Sequence, residues 1–189
     1  MRIISGKFKG KKILQPKDKN TRPLKDLTKE SIFNIIAHSK KLNINLENSN
    51  ILDLFSGVGS FGIECISRGA KKVTFVENYL DVLPILQKNL DNLKSEISYE
   101  IIKDDIYQNF KIENLKDKFD LIFLDPPYKD KNLRNILTNI CSNKILNNDG
   151  LIIVHRHKRA DDVFPDFLSI IEEKTYGIAK IIFLTFNSD

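Results

Sequence analysis

The chain has 189 residues, 41% hydrophobic and 29% charged, which suits one packed domain, or one domain plus a small appendage, and is ordinary for a soluble globular protein. No apolar run approaches the roughly 20 residues that span a bilayer, and the start, Met1-Arg2-Ile3-Ile4-Ser5, lacks the apolar stretch of a secretory leader, so a cytoplasmic protein is expected. The net charge of +5 is uneven: residues 1–25 hold nine basic side chains and one acid, a local +8, and the remainder is −3. A basic arm on a nearly neutral body suits a polyanion such as nucleic acid, whose counterions each lysine displaces; a merely solvated lysine-rich face is the bland alternative.

In chain order, residues 2–14 set Ile3, Phe8 and Ile13 among lysines, with Gly6 and Gly10 for turns, and predict a short basic hairpin. A helix is predicted over 27–40, with Leu27, Ile32, Phe33, Ile35 and Ile36 as its apolar stripe and Asp26 or Thr28 as N-cap. Strands then alternate with helices: strand 50–55, helix 60–68, strand 72–77, helix 81–93, strands 99–103 and 119–125, helix 133–142 and strand 151–155. Two further strands, 167–173 and 179–186, flank a turn at Tyr176-Gly177. This alternation argues for an α/β fold with a mostly parallel, doubly covered sheet. The division expected is an arm, 1–25, and a main domain, 26–189. Cys65 and Cys141 have neither metal-ligand spacing nor catalytic context and read as reduced core residues.

In such a sheet the ligand lies beyond the carboxyl ends of the strands, where strand order reverses. The first strand runs into Asp53-Leu54-Phe55-Ser56-Gly57-Val58-Gly59-Ser60-Phe61-Gly62, whose glycines let a ligand approach the turn and the N-terminus of the following helix. Asp53 could receive an ammonium, directly or through water. Glu77 could accept from two ribose hydroxyls, and Asp105 could hold an adenine amine with Ile106 or Leu80 on the ring. Phe55 and Asn78 complete the cofactor-binding set. Gly57, Gly59 and Gly62 also satisfy G-x-G-x-x-G, so a nicotinamide dinucleotide competes by spacing. Asp53, four residues before Gly57, counts against it, because it would repel a pyrophosphate.

After the apolar run 119–124 come Asp125-Pro126-Pro127-Tyr128. The Asp125 carboxylate and the Pro126 carbonyl can each accept one N–H of an exocyclic amine. Pro127 stiffens the turn and Tyr128 stacks on the base. The plain alternative is a strand-to-loop turn, for which Asp and Pro-Pro are suited. Asp125 also borders the donor side, so the two motifs are expected to face each other across one cavity.

These two motifs in this order resemble the S-adenosylmethionine-dependent amino-methyltransferases. The segment Arg22-Pro23-Leu24-Lys25-Asp26-Leu27-Thr28-Lys29-Glu30-Ser31-Ile32-Phe33-Asn34 and the opening Met1 to Ile13 are similar to those of the bacterial 16S rRNA (guanine-N2)-methyltransferases, the RsmD family. The resemblance implies a Rossmann-like class I methyltransferase with a seven-stranded sheet ending in an antiparallel strand pair. It further implies S-adenosylmethionine as cofactor and 16S rRNA as substrate, on a partly assembled small subunit, by a monomer. It assigns Arg22, Asp26, Glu30 and Asn34 to closing the donor pocket or ordering the arm, with capping and surface charge as the ordinary alternative. Arg2, Lys7, Lys9, Lys11, Lys12, Arg22 and Arg156 are the expected RNA contacts. Two departures stand out: Leu24 replaces the family's usual Thr, and His155-Arg156-His157-Lys158-Arg159 is basic where relatives commonly have an acidic residue. His155 and His157 make no metal site, and none is expected. An adenine-N6 methyltransferase, which shares the Asp-Pro-Pro-Tyr turn, and a non-catalytic RNA-binding assembly factor are the alternatives.

Overall fold

The apolar runs pair into one seven-stranded sheet of order β3-β2-β1-β4-β5-β7-β6. The computed structural model describes residues 1–17, 24–94, 98–108 and 110–187. Its elements are α1 (Asp26–His38), β1 (Asn50–Leu54), α2 (Ser60–Ser67), β2 (Lys72–Val76), α3 (Leu83–Asp91), β3 (Ser98–Ile102), β4 (Phe119–Leu124), α4 (Leu133–Ser142), β5 (Leu146–His157), β6 (Leu168–Tyr176) and β7 (Ala179–Phe186). Strands β1 to β5 are parallel, and β7 runs antiparallel to both β5 and β6. Strand order reverses between β1 and β4, the place where a ligand crevice forms. Among the described residues no helix is long and apolar enough to cross a membrane.

Central strands read as continuous apolar runs because both faces are covered. One face packs Ile51, Phe75, Phe123 and Ile153 with Ile32, Phe33 and Phe61. The other packs Leu52, Ile122, Leu124 and Ile152 with Ile136, Leu137 and Ile140 of α4. Each such side chain contributes about 1.5–3 kcal/mol on burial. Phe61, just inside α2, stacks on Phe123 at 4.0 Å and on Phe33 at 5.1 Å, which fixes α1 and α2 against β4 beneath the reversal point. Gly62 is needed there because a Cβ would lie 2.3 Å from the Phe75 ring.

The N-terminal segment has a single Arg2–Lys12 bridge rather than a regular hairpin, and it is docked. Ile3, Phe8 and Ile13 join the core. Glu64 of α2 accepts N–H bonds from Ile4 and Ser5 at 2.8 and 2.9 Å, and Asn89 of α3 accepts from the Leu14 N–H at 2.8 Å. Gly6, at φ +80°, abuts α2 so closely that a Cβ would overlap the Ser67 carbonyl oxygen.

Three expectations change. Leu27 is 69% exposed and leaves the stripe, because the face of α1 turned inward carries Thr28, Lys29, Ile32, Phe33 and Ile36. Neither Asp26 nor Thr28 is the N-cap; Lys25 holds that position without a side-chain bond. Strand β5 begins at Leu146 rather than 151, through a register shift that sets Phe119 opposite Leu146 and Leu121 opposite Leu151. Cys65 is buried and Cys141 half-buried, both as free thiols.

Candidate active site

Strands β1 and β4 are hydrogen-bonded neighbours, with Leu54 opposite Leu124 and the Asp125 N–H donating to the Leu54 carbonyl at 3.3 Å. The glycine bend and the Asp125 turn therefore rise from the same edge, about one strand spacing, ~4.8 Å, apart at their roots. Two clefts of about 370 and 380 Å³ lie elsewhere and include none of the predicted site residues.

On the donor side, Phe55, Gly57 and Gly59 take φ of +60°, +54° and +80° and fold the chain back into α2. Asp53 is 1% exposed. Its Oδ2 accepts the Gly62 N–H at 2.9 Å, satisfying one of the N–H groups that a helix start leaves unpaired. Its Oδ1 is buried with no hydrogen-bond partner among the described residues. Burial pushes the Asp53 carboxyl well above the usual range, the Gly62 bond opposes this, and the negative charges of Asp125 and Glu77 add to it.

Glu77 accepts the Gly57 N–H at 2.7 Å and those of Asn78 and Tyr79 at 3.0 and 2.9 Å. It thus pins the glycine bend, and these bonds take three of the roughly four acceptor positions of a carboxylate. Asp105 accepts the Tyr107 N–H at 2.8 Å, Ile106 is half-buried, and Asn78 and Leu80 are exposed. The Tyr107 ring lies 5.4 Å from that of Phe55, and burial, then the nearby Asp130 carboxylate, push its hydroxyl pKa up.

On the acceptor side, Asp125 is bonded through Oδ1 to His155 Nδ1 at 2.7 Å. Its Oδ2 has no hydrogen-bond donor among the described residues. The Pro127 carbonyl is occupied by the Asp130 N–H and by Arg156 Nη1. The Pro126 carbonyl has no such donor among the described residues, as an amine-accepting oxygen requires. The Tyr128 ring meets His155 and His157 edge-on at 6.0 and 5.3 Å.

The expectation that Arg156 contacts RNA does not hold. It is 2% exposed and its guanidinium is spent internally, on both Asp162 oxygens at 2.9 Å, on the Pro127 carbonyl at 3.1 Å and on the Asp130 carbonyl at 2.8 Å. Neighbouring residues of a strand point to opposite faces, so His155 enters the site while Arg156 braces the turn from behind. Arg2, Lys7, Lys9, Lys11 and Lys12 are exposed, whereas Arg22 lies outside the described residues. Asp26 accepts the Arg2 N–H at 3.4 Å, and Glu30 and Asn34 face solvent. Among the described residues no His, Cys, Asp and Glu cluster could hold a metal.

The family model described as conserved hypothetical protein 95 matches residues 1–185. The chain belongs to this family, the RsmD family. It is 35% identical over 181 residues to the ribosomal RNA small subunit methyltransferase D of Haemophilus influenzae, covering 95% of this chain and 91% of that one. It is 31% identical over 191 residues to the protein of the same name from Buchnera aphidicola subsp. Baizongia pistaciae, covering 100% and 93%. The solved structure of yhhF from Escherichia coli superposes with a TM-score of 0.81 at 26% identity, covering 100% and 99%. RsmD-family membership and these likenesses make the fold that of a Rossmann-like methyltransferase.

Sequence reasoning passed over His155 as a site residue. It follows Leu151 and Ile153 at a spacing of two on the strand beside β4, and that alternation was the available signal.

Proposed function

We infer that this protein is a ribosomal RNA methyltransferase that transfers a methyl group from S-adenosylmethionine to the exocyclic N2 amine of a guanosine in 16S rRNA. The observation that carries this reading is the pair of acceptors that no described residue occupies, Asp125 Oδ2 and the Pro126 carbonyl, just after the strand next to the glycine bend. The residues fit the donor. The orphaned Asp53 Oδ1 suits its ammonium, directly or through one water, Glu77 keeps a place for a ribose hydroxyl, and Asp105 with Ile106 suits the adenine. Bound there, S-adenosylmethionine supplies an electrophilic methyl on a cationic sulfur.

The amine lone pair is delocalised into the purine ring, which makes it a weak nucleophile. Asp125 and the Pro126 carbonyl, each accepting one N–H, favour a pyramidal nitrogen whose lone pair leaves the ring plane. The carboxylate then stabilises the positive charge that grows on nitrogen. Alignment supplies much of the remaining rate. Tyr128 stacks on the base, an interaction worth about 1–3 kcal/mol, and the nucleotide must be unstacked to enter. Arg156, Asp162 and Asp130 hold the turn in shape.

The deciding experiment compares modified nucleosides in small-subunit rRNA from cells with and without the gene. Loss of one N2-methylguanosine, restored by the wild-type gene and not by Asp125→Ala, is expected. Unchanged N2-methylguanosine would sink the proposal, and loss of N6-methyladenine instead would assign adenine as the acceptor.

A further inference from the structure

The imidazole of His155 reaches the one carboxylate on which the proposed chemistry depends. Its Nδ1 lies 2.7 Å from Asp125 Oδ1, with the two side chains 10% and 20% exposed, inside the range of a charge-assisted hydrogen bond. Among the described residues, Asp125 and Tyr128 from the segment after β4 face the ring, and His157, two residues along β5, packs edge-on against the same Tyr128 ring. Asp53 on β1 is electrostatically coupled to Asp125. Across on β7 stands apolar Ile181, with Lys180 opposite Arg156.

We propose that His155 is a positioning residue that orients the Asp125 carboxylate and makes amine methylation dependent on its own protonation state. This inference rests on the amine-methylation reading above. With one proton, on Nδ1, the ring donates to Oδ1, turns Oδ2 toward the substrate and adds no charge. A carboxylate accepts only, so this tautomer is the one that matches the contact. A second proton, on Nε2, makes the ring a cation touching the carboxylate that must stabilise another cation.

During transfer the nitrogen lone pair forms the N–C bond, the electron pair of the broken C–S bond stays on sulfur, and nitrogen becomes positive. One N–H proton then leaves to Asp125 Oδ2 and on to water. An imidazolium opposes both the charge build-up and the proton loss. Turnover must therefore fall once the ring carries that second proton.

The test measures kcat against pH at saturating donor and small-subunit particles, beside ¹⁵N-histidine NMR of the protein alone. The wild type should lose turnover on the acid side. His155→Gln, which still donates a hydrogen bond and cannot titrate, should flatten that limb. His155→Ala should lose about 10- to 100-fold in kcat, with KM for both substrates changed by less than about threefold. NMR should show the His155 proton on Nδ1, with its signal shifted by Asp125→Asn. An acid limb in His155→Gln equal to that of the wild type, or a neutral ring protonated on Nε2, overturns the proposal. Wild-type protein that transfers no methyl at any pH overturns the methylation reading itself, a result visible before any variant is made.

Discussion

At the scale of single residues, Asp53 shows stability given up at a site. Its carboxyl is buried, Oδ1 has no hydrogen-bond partner among the described residues, and burial raises its pKa. A carboxyl that holds its proton more tightly when folded helps the fold at low pH. That help is fully present below the unfolded pKa, near 3.9, and is lost as pH rises through the higher folded value. Asp53→Asn keeps an oxygen for the Gly62 N–H and removes the charge. We expect it to melt above the wild type at pH 8, by a margin that narrows at pH 4, while donor affinity drops in calorimetry. Equal melting temperatures at pH 8 would contradict the buried-charge account, and unchanged donor affinity would remove Asp53 from the pocket. The acidic and glycine motifs were legible because their chemistry resides in residue type and spacing. The roles of His155 and Arg156 were not, because adjacent residues in a basic run acquire opposite roles only once β5 is set beside β4.

At the scale of elements, α2 is the hub: all eight of its residues are buried, between the sheet and the N-terminal segment. Three buried polar side chains tie that segment to the glycine bend. Glu64 holds Ile4 and Ser5. Lys29 donates to the Arg2 carbonyl at 2.8 Å and to Ser60 Oγ at 3.3 Å. Asn89 spans Leu14 and the Val58 carbonyl. Lys29 Nζ lies 3.7 Å from Glu64, both side chains fully buried, and burial lowers the Lys29 pKa while Glu64 and Asp26 oppose the shift. Removing one member strands the other, so Glu64→Ala should cost about 3–5 kcal/mol by chemical denaturation and expose the Ile4 and Ser5 amides to exchange. A loss below about 1 kcal/mol, with those amides still protected, would show that helix and arm do not depend on each other. The alternation of Ile3, Phe8 and Ile13 was readable as a structured arm. Its partners Glu64 and Asn89 lie 59 to 75 residues away, and no local pattern carries contacts so distant. The early start of β5 was hidden for a related reason: Asn147-Asn148-Asp149-Gly150 reads as a turn and is carried into the strand by the register shift against β4.

At the scale of the whole molecule, the lysines at the tip of the arm and the candidate site sit at opposite ends of α2. The arm bends at Gly6 to Gly10, and there the Lys7 N–H bonds the Ser67 carbonyl and Lys11 Nζ the Asn92 carbonyl, at the C-terminal ends of α2 and α3. The glycine bend is at the other end of α2, a helix of eight residues and so about 12 Å long. The lysines of the tip therefore stand at least that far from the donor loop, where they can hold RNA flanking the target and cannot touch the reacting base. This separation predicts a division of effects. Replacing Lys7, Lys9 and Lys11 with Ala should raise KM for the rRNA substrate and make its salt dependence shallower, the log–log slope falling by up to about 0.7–0.9 for each phosphate no longer neutralised. Turnover at saturating RNA should hold, because Asp125, Pro126 and the glycine bend are untouched. A slope equal to that of the wild type would place the RNA on another face. A fall in kcat at saturating RNA would show instead that the tip helps to form the site, through the Glu64, Lys29 and Asn89 links that join the arm to the glycine bend.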